Sequence, residues 1–180
     1  MHLDRKITPQ LFPNHWHFVV RPDRKEHLSD FFQYLSSTHA KRFHAVRGSS
    51  GEGHVYQDRF KSFPVENDGH FLALGRYVER NAKSAGLVER AEGWRWSGLW
   101  RRIHQLDDWL ESDWPVERPE DWIERVNLAL TGTELAAIRT SIRRGRPLGS
   151  AEWVESTVAE LGLEHTMRSR GRPRICAAIH

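Results

Sequence analysis

The chain has 180 residues, 38% of them hydrophobic and 28% charged, which sets it among folded globular chains of about one domain and excludes a disordered one. Lys and Arg number 27 against 24 Asp and Glu, a formal net charge of +3 with a sequence pI near 9.3. Most of the basic residues are arginines, whose forked guanidinium suits phosphate and makes an anionic partner worth testing. A single cysteine, Cys176, excludes an internal disulfide framework and a four-thiolate metal site. No apolar run approaches the ~18 residues of a membrane span and no signal-peptide core opens the chain, so a reducing cytoplasm is the expected compartment and no membrane partner is expected. Eleven histidines and eight tryptophans stand out.

In chain order, Met1 to Gln10 is polar and without pattern, and Leu11–Val20 reads as a strand that Pro13 bulges or delays until about Asn14. Asp23, with Glu26 three residues on, reads as the N-cap of a helix carrying Leu28, Phe31, Phe32, Leu35 and Phe43, running to about Val46 and stopping at Gly48. A glycine-rich loop follows. Short β-like pieces at His54–Gln57 and Phe60–Val65 suggest a hairpin around Asp58. Asn67 and Asp68 cap a second helix with an apolar stripe of Phe71, Leu74, Val78, Ala82 and Ala85, and Gly75 beside that stripe allows a close approach. A Trp-rich segment, with Trp94, Trp96 and Trp100, comes next. The chain then turns acidic from Leu106 to Glu124, where a soft domain boundary is expected. Thr131 with Glu134 forms a capping-box pattern for a helix to about Arg144, and Ser150 caps another to about Leu161. The end is basic, Arg168 to Arg174.

His15 and His17 are two apart on a strand, so both imidazoles share a face and can reach one metal ion. Among 11 histidines such a pair arises by chance about 0.7 times, and two structural histidines fit it as well, so the context decides. Tyr77 and Asn81, four apart, lie one above the other on a flank of the second helix. Read singly, they suit an ordinary half-buried anchor and a late-helix polar residue. Arg59 and Lys61 alternate with Phe60 and would share one strand face, an arrangement that fits a phosphodiester or plain solvent exposure.

Taken together, Pro13-Asn-His-Trp-His-Phe-Val-Val20, then Gly53 to Ser62, then Arg76-Tyr-Val-Glu-Arg-Asn81 with Ala85 to Val88, then Trp94-Arg-Trp-Ser97, resemble the HUH single-tyrosine transposases, and most of all the branch associated with repetitive extragenic palindromes (REP). The resemblance runs from about residue 13 to residue 100. It implies that His15, His17 and Asn81 bind a divalent ion, Mg²⁺ or Mn²⁺, and that Tyr77 is the nucleophile. It also implies a ferredoxin-like α/β (α+β) fold, with helices on an antiparallel sheet, acting on single-stranded DNA with hairpins at element ends as a monomer or homodimer. Arg59, Lys61, Arg76 and Arg80 become candidates for backbone contacts. Arg170 and Arg172 join them, because Arg170-Gly-Arg-Pro173 matches the core of a minor-groove arm. The same letters at Arg144 to Pro147 read as a connection between helices. The tryptophan cluster could stack bases or pack on the sheet.

One departure from the family pattern is expected to matter. Family members have a further strand and helix ahead of the histidine strand, and the residues up to Leu11 do not resemble them. The chain thus reads as a catalytic domain over 11–104 short of its first strand and helix, a helical region over 105–166 and a basic tail over 167–180. A catalytically inactive remnant that only binds DNA is the competing expectation, and a protein with a structural histidine pair and no DNA partner is a distant third.

Overall fold

Pro13 lacks an amide hydrogen and Asn14 favours turns, and the chain reverses there. The amide of Phe12 donates to the His15 carbonyl oxygen at 2.9 Å across the reversal. The computed structural model describes residues 5–22, 24–106 and 114–168. In it the turn joins two strands, β1 (Arg5–Leu11) and β2 (Trp16–Arg21), paired antiparallel with Gln10 opposite His17 and Leu11 opposite Trp16, and with a register shift between Lys6 and Thr8. The single strand expected over Leu11–Val20 is therefore two, and the stretch expected to be patternless holds β1. β1 shows no hydrophobic alternation because two of its buried side chains, Thr8 and Gln10, are polar. Among the described residues this two-stranded sheet carries six helices, an α/β arrangement as expected.

α1 (Lys25–Arg47) ends at Gly48, which adopts the left-handed conformation with φ 64° and so stops the helix where expected. Its start follows Arg24, which makes no side-chain cap; Asp23, the expected cap, lies outside the described residues. Period-2 geometry turns Trp16 and Phe18 to the face of β2 opposite His17 and Val19. α1 meets that face through aromatic contacts, Trp16 with His39 at 5.2 Å and Phe18 with Phe32 at 5.5 Å between centroids. The hairpin expected over 54–65 is absent. This segment is irregular, with Phe60 stacked on Phe32 at 4.8 Å and Val65 forming a lone parallel bridge to Leu148. Arg59 and Lys61 are exposed on it and do not share a strand face.

α2 (Gly69–Ser84) is capped by Asp68, whose side chain accepts from the His70 amide at 2.7 Å. It buries Phe71, Leu74 and Val78 with Val19 of β2, each apolar side chain contributing about 1.5–3 kcal/mol. Gly75 admits a close approach: a Cβ there would stand 3.2 Å from Trp114 and 3.4 Å from Trp122. After a short 3₁₀ turn (Ala91–Gly93), residues 94–97 run along the other edge of β1. There the Leu11 amide donates to the Trp96 carbonyl at 3.0 Å, Trp94 Nε1 donates to the Leu11 carbonyl at 3.0 Å, and Gln10 bridges Ser97. Trp94 thus packs on the sheet, whereas Trp96 is 53% exposed. Ser97 caps α3 (Gly98–Ile103). No side chain fits at Gly98, where a Cβ would stand 2.3 Å from Thr8 Oγ1.

α4 (Trp122–Asn127), α5 (Gly132–Arg144) and α6 (Ala151–Leu161) complete the fold. α5 has the capping box of Thr131 and Glu134 and stops at Gly145 with φ 70°; Ser150 caps α6. The core joins residues from either side of position 105. Ile138 and Leu148 pack with Val19, Phe71, Leu74 and Val78, and Trp122 and Val126 pack with Ala91 and Leu99.

One carboxylate ties these layers. Glu79 of α2 is fully buried; its Oε1 accepts from Arg102 at 2.8 Å and from Thr8 Oγ1 at 3.3 Å, and its Oε2 accepts from Trp122 Nε1 at 2.8 Å. Replacing Glu79 with Leu removes the carboxylate that Arg102, Thr8 and Trp122 all donate to, and should cost about 3–5 kcal/mol. Urea unfolding checks this: the midpoint should fall with little change in slope.

Candidate active site

The first turn of β2 meets the last turns of α2, and four polar side chains come together there. His17 Nε2 lies 2.9 Å from Asn81 Nδ2. An amide nitrogen can only donate, so Nε2 accepts and the ring is the Nδ1–H tautomer. The ring is neutral at ordinary pH: burial, and secondarily the neighbouring His15, push its pKa down to about 4. Tyr77 sits edge-on to His17, with 6.2 Å between ring centroids. His15 stands 4.9 Å from His17 at an interplanar angle of 82°. Its Nδ1 lies 2.7 Å from Asn14 Oδ1, which can only accept, so Nδ1 carries a proton and a neutral ring has its lone pair on Nε2.

The aromatic frame holds these rings in place. Phe12 is buried and stacks on His15 at 4.5 Å and 2°, presents its edge to His17 at 6.0 Å, and stacks with Trp94 at 6.0 Å. The result is an asymmetric pair, an exposed His15 and a half-buried His17. Two imidazole nitrogens, an amide that can present Oδ1, and no thiolate form a donor set suited to Mg²⁺ or Mn²⁺. The Tyr77 ring lies beside them, edge-on to His17.

The expected DNA-contacting residues are placed differently from one another. Arg59 and Lys61 are exposed. Arg80 is half-buried, with Nη1 donating to Ser84 Oγ at 2.6 Å. The Arg76 guanidinium is occupied within the protein: Nε donates to the Arg125 carbonyl at 3.1 Å, Nη2 to the Ala129 carbonyl at 3.2 Å, and Nη1 stands 3.5 Å from Glu134. Arg170 and Arg172 lie outside the described residues.

Sequence reasoning passed over Glu79, although a carboxylate beside the apolar stripe of α2 was a visible signal. It also passed over Gln10, which left none in a segment without alternation. A second group of possible metal donors, Glu66, Asp68 and His70, has its donor atoms within 4.8 Å of one another. Those atoms join the starts of α2 and α6: Asp68 accepts from His70, and Glu66 Oε2 accepts from the Ser150 amide at 2.6 Å.

The His17 shift sets a pH window. With a folded pKa near 4 against 6.5 unfolded, the unfolded chain takes the proton first, so stability present above pH 6.5 is lost as pH falls from 6.5 toward 4. Melting temperatures in EDTA should decline across this window more steeply for the wild type than for His17→Asn.

Residues 7–81, which hold most of β1, all of β2 and α1, and α2 up to Asn81, match the model of the family described as "Transposase IS200 like". No curated protein and no solved structure matches the chain. The matched segment contains His15, His17, Tyr77 and Asn81, the residues that the fold gathers at one place. Over residues 7–81, then, the chain is similar to the IS200-like transposases, the single-tyrosine family that its motifs resemble.

Proposed function

We propose that this protein is a metal-dependent transposase of the REP-associated branch, cutting and rejoining single-stranded DNA at hairpin-bearing ends through Tyr77. The observation that carries this reading is the juxtaposition of the Tyr77 phenol with His17, itself in contact with Asn81 and beside His15. His15, His17 and Asn81 would hold Mg²⁺ or Mn²⁺, and such an ion supplies charge stabilisation at the scissile phosphate.

Tyr77 Oη attacks the phosphorus and loses its proton. An Oη–P bond forms, the P–O3′ bond breaks, and the departing oxygen takes up a proton as a free 3′-OH. The product is a 5′-phosphotyrosine that keeps the phosphodiester energy, so attack by a new 3′-OH reseals the strand without ATP. His17, neutral and half-buried, keeps its lone pair on Nε2. His15 is exposed, and would face the incoming strand.

Arg59 and Lys61, with Arg80, are proposed to contact the DNA backbone, and Arg170 and Arg172 to reach DNA from the tail. Arg76 supports the frame through its internal bonds. Residues 11–104 are read as the catalytic part, 105–166 as the helical part that shares its core, and 167–180 as the basic tail. Among the described residues no helix is long and apolar enough to cross a membrane, and the proposed compartment is the cytoplasm.

Incubation with hairpin-bearing single-stranded DNA and Mn²⁺ should yield a covalent protein–DNA adduct that resists denaturing electrophoresis and is lost in Tyr77→Phe. Binding with no adduct in the wild type would overturn the enzymatic reading in favour of a DNA-binding remnant. Replacing both Arg59 and Lys61 with Ala should lower the slope of log K against log salt by about 0.7 for each phosphate that is no longer neutralised, measured by fluorescence anisotropy.

A further inference from the structure

Gln10 is wholly buried, and neither its Nε2 nor its Oε1 has a hydrogen-bond partner. A buried amide left unpaired on both atoms is destabilising and calls for an explanation. Its place is specific. Gln10 is the cross-strand partner of His17 in the β1–β2 register, so the two side chains leave the sheet on one face, with Cβ atoms about 4.5–5.5 Å apart. The His17 ring is the Nδ1–H tautomer, and among the described residues that Nδ1–H has no acceptor.

An imidazole that ligates a metal through one nitrogen almost always donates its other N–H to an oxygen, which fixes the tautomer and raises the basicity of the ligating atom. We propose that Gln10 is the positioning residue for His17, its Oε1 accepting the His17 Nδ1–H when Nε2 turns to a divalent cation. This rests on the metal-site reading above and deepens it. In the arrangement described, Asn81 Nδ2 occupies Nε2. Rotating the Asn81 amide to present Oδ1 removes that donor and frees the Nε2 lone pair. Nδ1 keeps the proton, and a side-chain adjustment of Gln10 then gives its buried amide oxygen a donor. Gln10 is too enclosed to meet DNA and acts through the ring alone.

The test is Mn²⁺ affinity of the full chain, read by titration calorimetry and by loss of the free-ion electron paramagnetic resonance signal, in the absence of DNA. Gln10→Leu should weaken Mn²⁺ binding 10- to 100-fold while the melting temperature in EDTA stays level or rises, because an unpaired buried amide has been removed. Gln10→Glu, which keeps an acceptor, should hold affinity near or above the wild type. If Gln10→Leu binds Mn²⁺ within twofold of the wild type, the proposal is overturned while the metal site stands. If the wild type itself binds no Mn²⁺, the metal reading fails and the proposal with it. Should Gln10→Leu not fold, nitrogen-15 spectra of the wild-type imidazoles decide. With Mg²⁺ added, the His17 Nδ1–H should become protected from exchange with solvent, and an unprotected Nδ1–H would overturn the assignment.

Discussion

Glu79 has no contact with solvent, and its two oxygens collect donors from β1, α3 and α4 while its own backbone belongs to α2. A buried carboxylate tolerates little freedom, since each missing donor leaves charge uncompensated in a low-dielectric interior. The position and rotation of α2 over the sheet are therefore tightly set, and Tyr77 and Asn81 flank Glu79 by two residues on either side. The helix that carries the proposed nucleophile is held by a polar network as well as by its apolar stripe of Phe71, Leu74 and Val78.

That constraint explains why residues far along the chain bear on the site. Arg102 and Trp122 lie outside the segment matched to the transposase family, yet both hold Glu79. Arg76 likewise reaches forward to the carbonyls of Arg125 and Ala129, and Lys83 Nζ donates to the Asn127 carbonyl at 3.1 Å. Ile138 and Leu148 complete the cluster beneath α2. The helical region after residue 105 thus works as a buttress for α2. Burial also has a chemical effect at His17, whose pKa is lowered to about 4, so that the ring is neutral at ordinary pH.

Helix boundaries were readable where local chemistry alone sets them. Gly48 and Gly145 take left-handed backbone, and Asp68, Thr131 and Ser150 each accept a backbone amide from the following turn. Strands were less readable. β1 shows no apolar alternation because its inward side chains are Thr8 and Gln10, and Thr8 is inward because Glu79, 71 residues later, meets it. The aromatic and β-branched residues of 54–65 promised a hairpin, but Phe60 stacks on α1 and Val65 pairs with Leu148, contacts between distant parts of the chain that outweigh local propensity.

The sequence by itself determined the residue types of the site and their local spacing: two histidines two apart, a tyrosine and an asparagine four apart, and the motif order that the family match supports. Those are short-range facts, set by strand and helix periodicity. Only the tertiary structure decided that His17 is half-buried while His15 is exposed, that Asn81 meets His17 at 2.9 Å, and that Arg76 is engaged inside the protein while Arg59 and Lys61 are free to face solvent. Burial, ring tautomer and the commitment of a guanidinium all depend on which residues, tens of positions apart, are brought into contact, and here that depends on one carboxylate holding α2 against the sheet.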